Sequence, residues 1–255
     1  MISVWKENLN FVPVISQRKI MLRFWLSVLF LFIPCSLFWF DGQSACTAEV
    51  PETVTTAEVE ACAVLYRSMD LEGVVSWKAF RQAVAGYHKI ENRKRDILTL
   101  IDFSRPSTEK RLFVFDMRQR KMLFSSVVSH GKNSGENYAT SFSNEYGSYK
   151  SSLGFYLTES TYQGKNGYSL ILDGLEKGIN DRARERAIVM HGAAYANPTV
   201  VSKGGRLGRS FGCPAVPQAL TRPIIDTIKG GSVMYIYAEA PDYLAQSTVL
   251  QSSFR

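Results

Sequence analysis

The chain has 255 residues, 45% of them hydrophobic and 12% aromatic, enough for one ordinary domain with a real core and an N-terminal appendage; wholesale disorder is excluded. The formal charge of +7 drops to +5 without residues 1–45, which hold Lys6, Arg18, Lys19 and Arg23 against Glu7 and Asp41. Much of the excess lies between Lys78 and Arg120, with eleven Lys/Arg against five Asp/Glu, and reads as a solvated basic face because no aromatic-interleaved nucleic-acid motif accompanies it.

In chain order, the first feature is the uncharged apolar run FWLSVLFLFIPCSLFWF, Phe24 to Phe40, preceded by basic residues and followed by the small-residue stretch GQSAC. A positive flank, a short apolar core and a small-residue exit describe an export signal. Cleavage near Ala45 is the first reading and a retained anchor the second, since the run is short for a membrane span and contains Pro34. Acylation of Cys46 is disfavoured by Gln43, and Met21 offers an alternative start. With Cys35 in the signal, a Cys46–Cys62 disulfide and a free Cys213 would suit an oxidising compartment, although spacing assigns no pairing.

Residues 46–56 read as a linker. From Thr56 to Met69 a stripe of Val59, Cys62, Ala63 and Tyr66 predicts a helix, and Ser76 caps a second one with Trp77, Phe80, Val84 and Tyr87 on one face. After Ile97 the texture turns to short β-rich runs: ILTLID, RLFVFD, MLFSSVVS, GFYLT, YSLILD, AIVMH and VMYIY. The segment TRPIIDTIKGG predicts a short helix beginning at its proline. The expected architecture is therefore mainly β, an antiparallel sandwich or open barrel over residues 96–240, with the helical pair 57–95 packed beside it and 241–255 as a tail.

Two segments carry candidate chemistry. In AIVMHGAAYAN a strand delivers His191 to a glycine turn, where the Gly192 carbonyl could orient the imidazole. In GGRLGRSFGCPAVP, Gly212 precedes Cys213 and Pro214 follows it. The amides of Gly212 and Cys213 could share one oxyanion pocket, with Arg206 and Arg209 lowering the thiol pKa and attracting a carboxylate. A buried packing cysteine and a locally satisfied histidine are the bland alternatives. His130, in VVSHGKNSGENY, also ends an apolar strand and could line the groove as a second acid, a substrate contact or a cap. Three scattered histidines without HExxH or paired cysteines give no metal motif, and no phosphate-binding glycine loop is present.

Histidine-glycine at a strand end, then Ser-x-Gly-Cys some twenty residues on, together with the stretches SGENYATSFSNEYGSYKSSLGFYLTESTYQGKNGYSLILDGLEKGINDRARERAIVMHGAAY and GRLGRSFGCPAVP, resemble the L,D-transpeptidase superfamily. They are most similar to its murein L,D-transpeptidase catalytic domain family, with similarity from about Cys62 to Tyr237. The resemblance implies that Cys213 attacks an L-configured diamino-acid carbonyl in a peptidoglycan stem, expels a terminal D-amino acid and forms a thioester. An amine of another stem or of a wall protein, or water, would then resolve it. It implies His191 as base, the Gly192 carbonyl as orienter, Ser210 and Gly212 flanking the oxyanion pocket, no cofactor, a periplasmic or cell-envelope address and acylation by carbapenems. Tyr195, in the turn after His191, is a candidate substrate contact alongside Arg209, Arg206 and His130. Two positions depart from the commoner motif: Phe211 stands in place of a histidine, and Ala215 in place of an Arg or Asn. Hydrolysis on the same scaffold and a silent wall-binding module are the competing readings.

Overall fold

The computed structural model describes residues 55–251. The export-signal segment, Cys35 and Cys46 lie outside them. Thr55 opens helix α1 (Thr56–Ser68) with a capping box: its hydroxyl accepts the Glu58 N–H at 3.2 Å, and the Glu58 carboxylate accepts the Thr55 N–H at 2.9 Å. Ser76 caps α2 (Trp77–Lys89) through the Ala79 N–H at 3.3 Å. The stripes read from the sequence are the buried faces, Cys62 and Tyr66 on α1 and Phe80, Val84 and Tyr87 on α2. Cys62 keeps a free thiol, pushed up to about 11 by burial with Arg81 pulling it down. It lines a cavity of about 330 Å³ between the two helices.

The strands are β1 (Ile97–Asp102), β2 (Leu112–Asp116), β3 (Lys121–Ser126), β4 (Gly154–Gly164), β5 (Gly167–Gly174), β6 (Val189–Gly192), β7 (Ala215–Val216) and β8 (Val233–Tyr237). They form one eight-stranded sheet in the order β3-β2-β1-β8-β4-β5-β6-β7. Beyond β3 the chain runs on to Ser129, which bridges Ala215 of β7, so the two ends of the sheet nearly close on each other. The mainly β barrel-like class expected from the sequence is therefore present, with one correction. The sheet is mixed: β1 pairs with β8 and β6 with β7 in parallel, because each of these pairs is joined through long crossover segments instead of hairpins.

All six residues of β1 and all five of β8 are buried, which accounts for their unbroken apolar runs. On this sheet α2 is seated through Phe80, whose ring meets Phe115 edge-on at 5.5 Å, and through Gln82, which accepts the Tyr235 hydroxyl at 2.7 Å. Helix α4 (Gln218–Ile228) follows directly on Pro217, earlier than expected, and carries Pro223 inside it. The intrahelical bond that proline forfeits is outweighed by burial of Ile224, Ile225 and Ile228. Residues expected as a tail instead form α5 (Pro241–Gln246), after the short α3 (Val201–Gly204) has preceded the cysteine loop. Buried Glu176 anchors α5: its carboxylate accepts the Tyr243 hydroxyl at 3.0 Å, the Ser247 hydroxyl, and the Phe155 N–H at 2.8 Å. Among the described residues, no helix is long and apolar enough to cross a membrane.

Candidate active site

The loop leading to β7 is fixed from two sides. On one, His191 and Gly192 of β6 pair with Ala215 and Val216. On the other, the Ser210 N–H donates to the His130 carbonyl at 2.9 Å and the Lys132 N–H to the Ser210 carbonyl at 2.8 Å. From beneath, the Ser151 hydroxyl donates to the Gly212 carbonyl at 3.0 Å and accepts the Gly131 N–H at 3.0 Å. Gly212 has φ +126°, and a Cβ there would stand 2.8 Å from both Ile188 Cδ1 and the Lys150 carbonyl. Only glycine meets both constraints.

Cys213 is a half-buried free thiol. Its Sγ receives the Val189 N–H at 3.5 Å and faces the Ala187 carbonyl at 3.6 Å. Burial pushes the thiol above its ordinary range, while the Val189 N–H and then the Arg186 charge pull it back. His191 lies two residues beyond Val189 on the same strand and therefore on the same face. Its Nδ1 is 3.0 Å from the Gly192 carbonyl, which can only accept, so Nδ1 carries the proton and Nε2 is the basic nitrogen. Burial lowers the imidazole pKa, with the Gly192 contact opposing. A direct thiol–imidazole hydrogen bond is not formed: the sulfur is turned toward the backbone N–H of Val189 and the carbonyl of Ala187. Gly192 has a second duty, since a Cβ there would run into Thr221 Oγ1 of α4.

The other sequence candidates divide. Ser210 sits at the loop's centre, accepting the Gly212 N–H at 3.1 Å and donating to the Cys213 carbonyl at 2.6 Å. This corrects the expectation of converging amides, because the Gly212 N–H is spent on Ser210. Tyr195 backs the loop: its carbonyl accepts the Gly208 N–H at 2.8 Å. Its phenol is pushed up to about 12 by burial, with the charge of Cys213 adding. Arg206 and Arg209 hold a carboxylate, but an internal one. Arg206 Nε and Arg209 Nη1 reach the two oxygens of Glu136 at 2.8 and 2.7 Å. His130 is 1% exposed and lines no groove; its ring is enclosed by Arg111 at 2.8 Å and the Gly135 carbonyl at 3.3 Å.

Two sets of contacts escaped the sequence reading. Arg186 lies behind Gly212, bonded into the 143–152 segment. Phe211, 66% exposed and two residues before Cys213, packs on Tyr149 at 4.9 Å, with Lys132 Nζ over both rings at 4.8 and 4.3 Å. Nothing local marks either one, since each depends on partners tens of residues away.

A profile of the L,D-transpeptidase catalytic domain matches residues 72–237. The chain belongs to the L,D-transpeptidase catalytic domain family. Among solved structures, this L,D-transpeptidase-family chain is similar to an L,D-transpeptidase from Mycobacterium smegmatis, at 13% identity over 56% of this chain and 59% of that one, with a TM-score of 0.35. An L,D-transpeptidase from Stackebrandtia nassauensis matches at 15% identity over 71% of this chain and 80% of that one, TM-score 0.34. The chain thus spans about three fifths of the length of the first of these. A search of curated proteins finds no match.

Proposed function

We propose that this protein is a cysteine acyl-transfer enzyme acting on peptidoglycan stem peptides, with Cys213 as nucleophile and His191 as base. The observation that carries the reading is the fixed tautomer of His191: the Gly192 carbonyl holds the Nδ1 proton, so Nε2 is left to take a proton from the Cys213 thiol. The pairing of β6 with β7 supports the reading, since it sets His191 opposite Ala215, two residues beyond Cys213. The thiol proton passes to Nε2, and the sulfur bonds to the carbonyl carbon of the L-configured diamino-acid residue. Collapse of the tetrahedral intermediate breaks the C–N bond, and the departing D-amino acid takes the proton back from the imidazolium. An amine of a second stem or of a wall protein, or water, then attacks the thioester, and Cys213 is regenerated as the thiol.

The basic, apolar and small-residue order of residues 18–45 supports export to the cell envelope, where such a substrate lies. Defined muropeptides mixed with the protein test the reading by mass. Unaltered Cys213 should form an acyl adduct and yield dimers through transfer or shortened monomers through hydrolysis, and a carbapenem should add its mass at the same residue. Cys213→Ala should do none of these; full turnover by that variant refutes the assignment and leaves the wall-binding reading.

A further inference from the structure

Arg186 lies in the turn feeding β6, half-buried, and among the described residues no carboxylate approaches it within 4 Å. Its hydrogen bonds go to oxygens of the 143–152 segment: Nη1 to the Ser143 carbonyl and the Ser152 hydroxyl, both at 2.7 Å, and Nη2 to the Lys150 carbonyl at 2.6 Å and the Ser148 hydroxyl at 3.3 Å. None of these partners is charged. Removing a guanidinium from water without a counter-ion is costly, so such a charge asks for an explanation.

The surroundings supply one. A Cβ on Gly212 would be 3.5 Å from Arg186 Nη2, which places the guanidinium against the residue preceding Cys213. The sulfur contacts Ala187 and Val189, the first and third residues after Arg186. Ala187 adopts φ +54°, a left-handed conformation unfavourable for alanine, and its carbonyl faces the thiol. An unneutralised cation, a strained backbone and the sulfur thus converge on four consecutive residues.

We propose that Arg186 is the positioning residue of the Cys213 thiolate, its fixed charge balancing the sulfur anion formed when the proton passes to His191. The same guanidinium holds the 143–152 segment against the cysteine loop, so the charge cannot drift from the sulfur. This inference rests on the assignment of Cys213 as nucleophile. The electrostatics agree in direction: after the opposing effect of burial, the Val189 N–H and Arg186 lower the thiol pKa, and Tyr156, Cys213 and Glu145 oppose the fall that burial imposes on Arg186. Tyr195 also feels the sulfur charge, and His191 pairs across β6 and β7 with Ala215, two residues beyond Cys213.

Alkylation of Cys213 by iodoacetamide, followed against pH in the full chain and read peptide by peptide so that Cys62 is separate, provides the test. Arg186→Gln should slow alkylation at pH 7 by roughly tenfold and move the profile to higher pH. Arg186→Lys keeps the charge and should restore the native profile, and Ser152→Ala, which loosens the segment without touching the charge, should leave it in place. A native profile in Arg186→Gln overturns the proposal, as does an equal displacement in all three variants, which would make Arg186 a tether only. If Arg186→Gln does not fold, Arg186→Lys decides alone, because a displaced profile there has the same consequence. The readout needs no turnover. A flat result beside an inactive Cys213→Ala therefore removes Arg186 and spares the nucleophile.

Discussion

His130 and His191 occur in the same local pattern, an apolar run entering histidine and glycine as VVSHG and IVMHG, yet their two environments assign them opposite work. Both rings are buried, at 1% and 4% exposure, so burial does not separate them. The neighbouring charge does. Arg111 lies inside the barrel with its Nε and Nη2 on the Val128 carbonyl at 2.9 and 2.7 Å, its Nη1 on the Arg105 carbonyl at 3.0 Å, and its guanidinium 4.8 Å from the centre of the Phe103 ring. Its Nη2 also donates to His130 Nδ1, which obliges His130 to be neutral and to place its remaining proton on Nε2, toward Gly135. Both nitrogens are then used. Among the described residues His191 meets no such cation, and only its Nδ1 is engaged. A strand-end histidine keeps a free basic nitrogen, as the proposed mechanism requires of His191, only where no buried arginine claims its lone pair.

The sharpest break between the two comes from replacing each with alanine. His191→Ala should lower turnover on muropeptides by about 10²- to 10⁴-fold while the unfolding midpoint hardly moves. His130→Ala should do the reverse, losing roughly 3 kcal/mol of stability because the buried Arg111 N–H that His130 accepted is left without that partner, with turnover per folded molecule retained. Denaturant melts alongside initial rates decide it. If the two variants exchanged phenotypes, the contrast would be wrong.

Acid should reveal the strut as well. Burial, and then the Arg111 charge, lower the His130 pKa to about 4 from the ordinary 6.5. The unfolded chain therefore binds the proton first, and between those values stability rises with pH. The contribution is complete above pH 6.5 and falls away toward pH 4, by up to about 3 kcal/mol. Protonated His130 would repel Arg111 and loosen the backbone that carries Ser210. Burial also raises the pKa values of Asp102 and Glu176, so acid acts on more groups than His130. The relevant measurement is consequently the difference between native protein and His130→Ala in denaturant melts at pH 7, 5 and 4. That difference should shrink toward pH 4; a constant gap would mean that the histidine is not held neutral.

The contrast also marks how far sequence reaches. Strand VMYIY occupies β8 from Val233 to Tyr237 because residues buried on both faces leave a continuous apolar run, and Ser76 capped α2 as its chemistry required. The two-residue β7 was invisible, since Ala215 and Val216 are a strand only by virtue of β6 and Ser129 on either side. Cys213, His191 and the Gly192 carbonyl were legible because each stands at a local irregularity with reactive chemistry. Arg111 and Arg186 were not. Their positions among basic residues resemble a solvated face, and their meaning lies in contacts with residues 17 to 43 positions away.

The smallest expected effect concerns the cationic rim on the His130 side. Arg209 Nη1 donates to the Gly135 carbonyl at 2.9 Å, the same oxygen that receives His130 Nε2–H, so the turn held by the strut also presents Arg209 and Arg206. Glu136 occupies both arginines with a side chain 72% exposed, and an exposed ion pair of this kind adds little stability. If the rim receives a substrate carboxylate, Glu136 competes with it. Glu136→Ala should then lower KM a few-fold on carboxylate-bearing muropeptides without changing kcat or the melting temperature, and Arg209→Ala should raise KM. Unchanged KM and kcat in Arg209→Ala would confine both arginines to bracing the turn, leaving His191 as the only one of the two strand-end histidines with a substrate-facing neighbourhood.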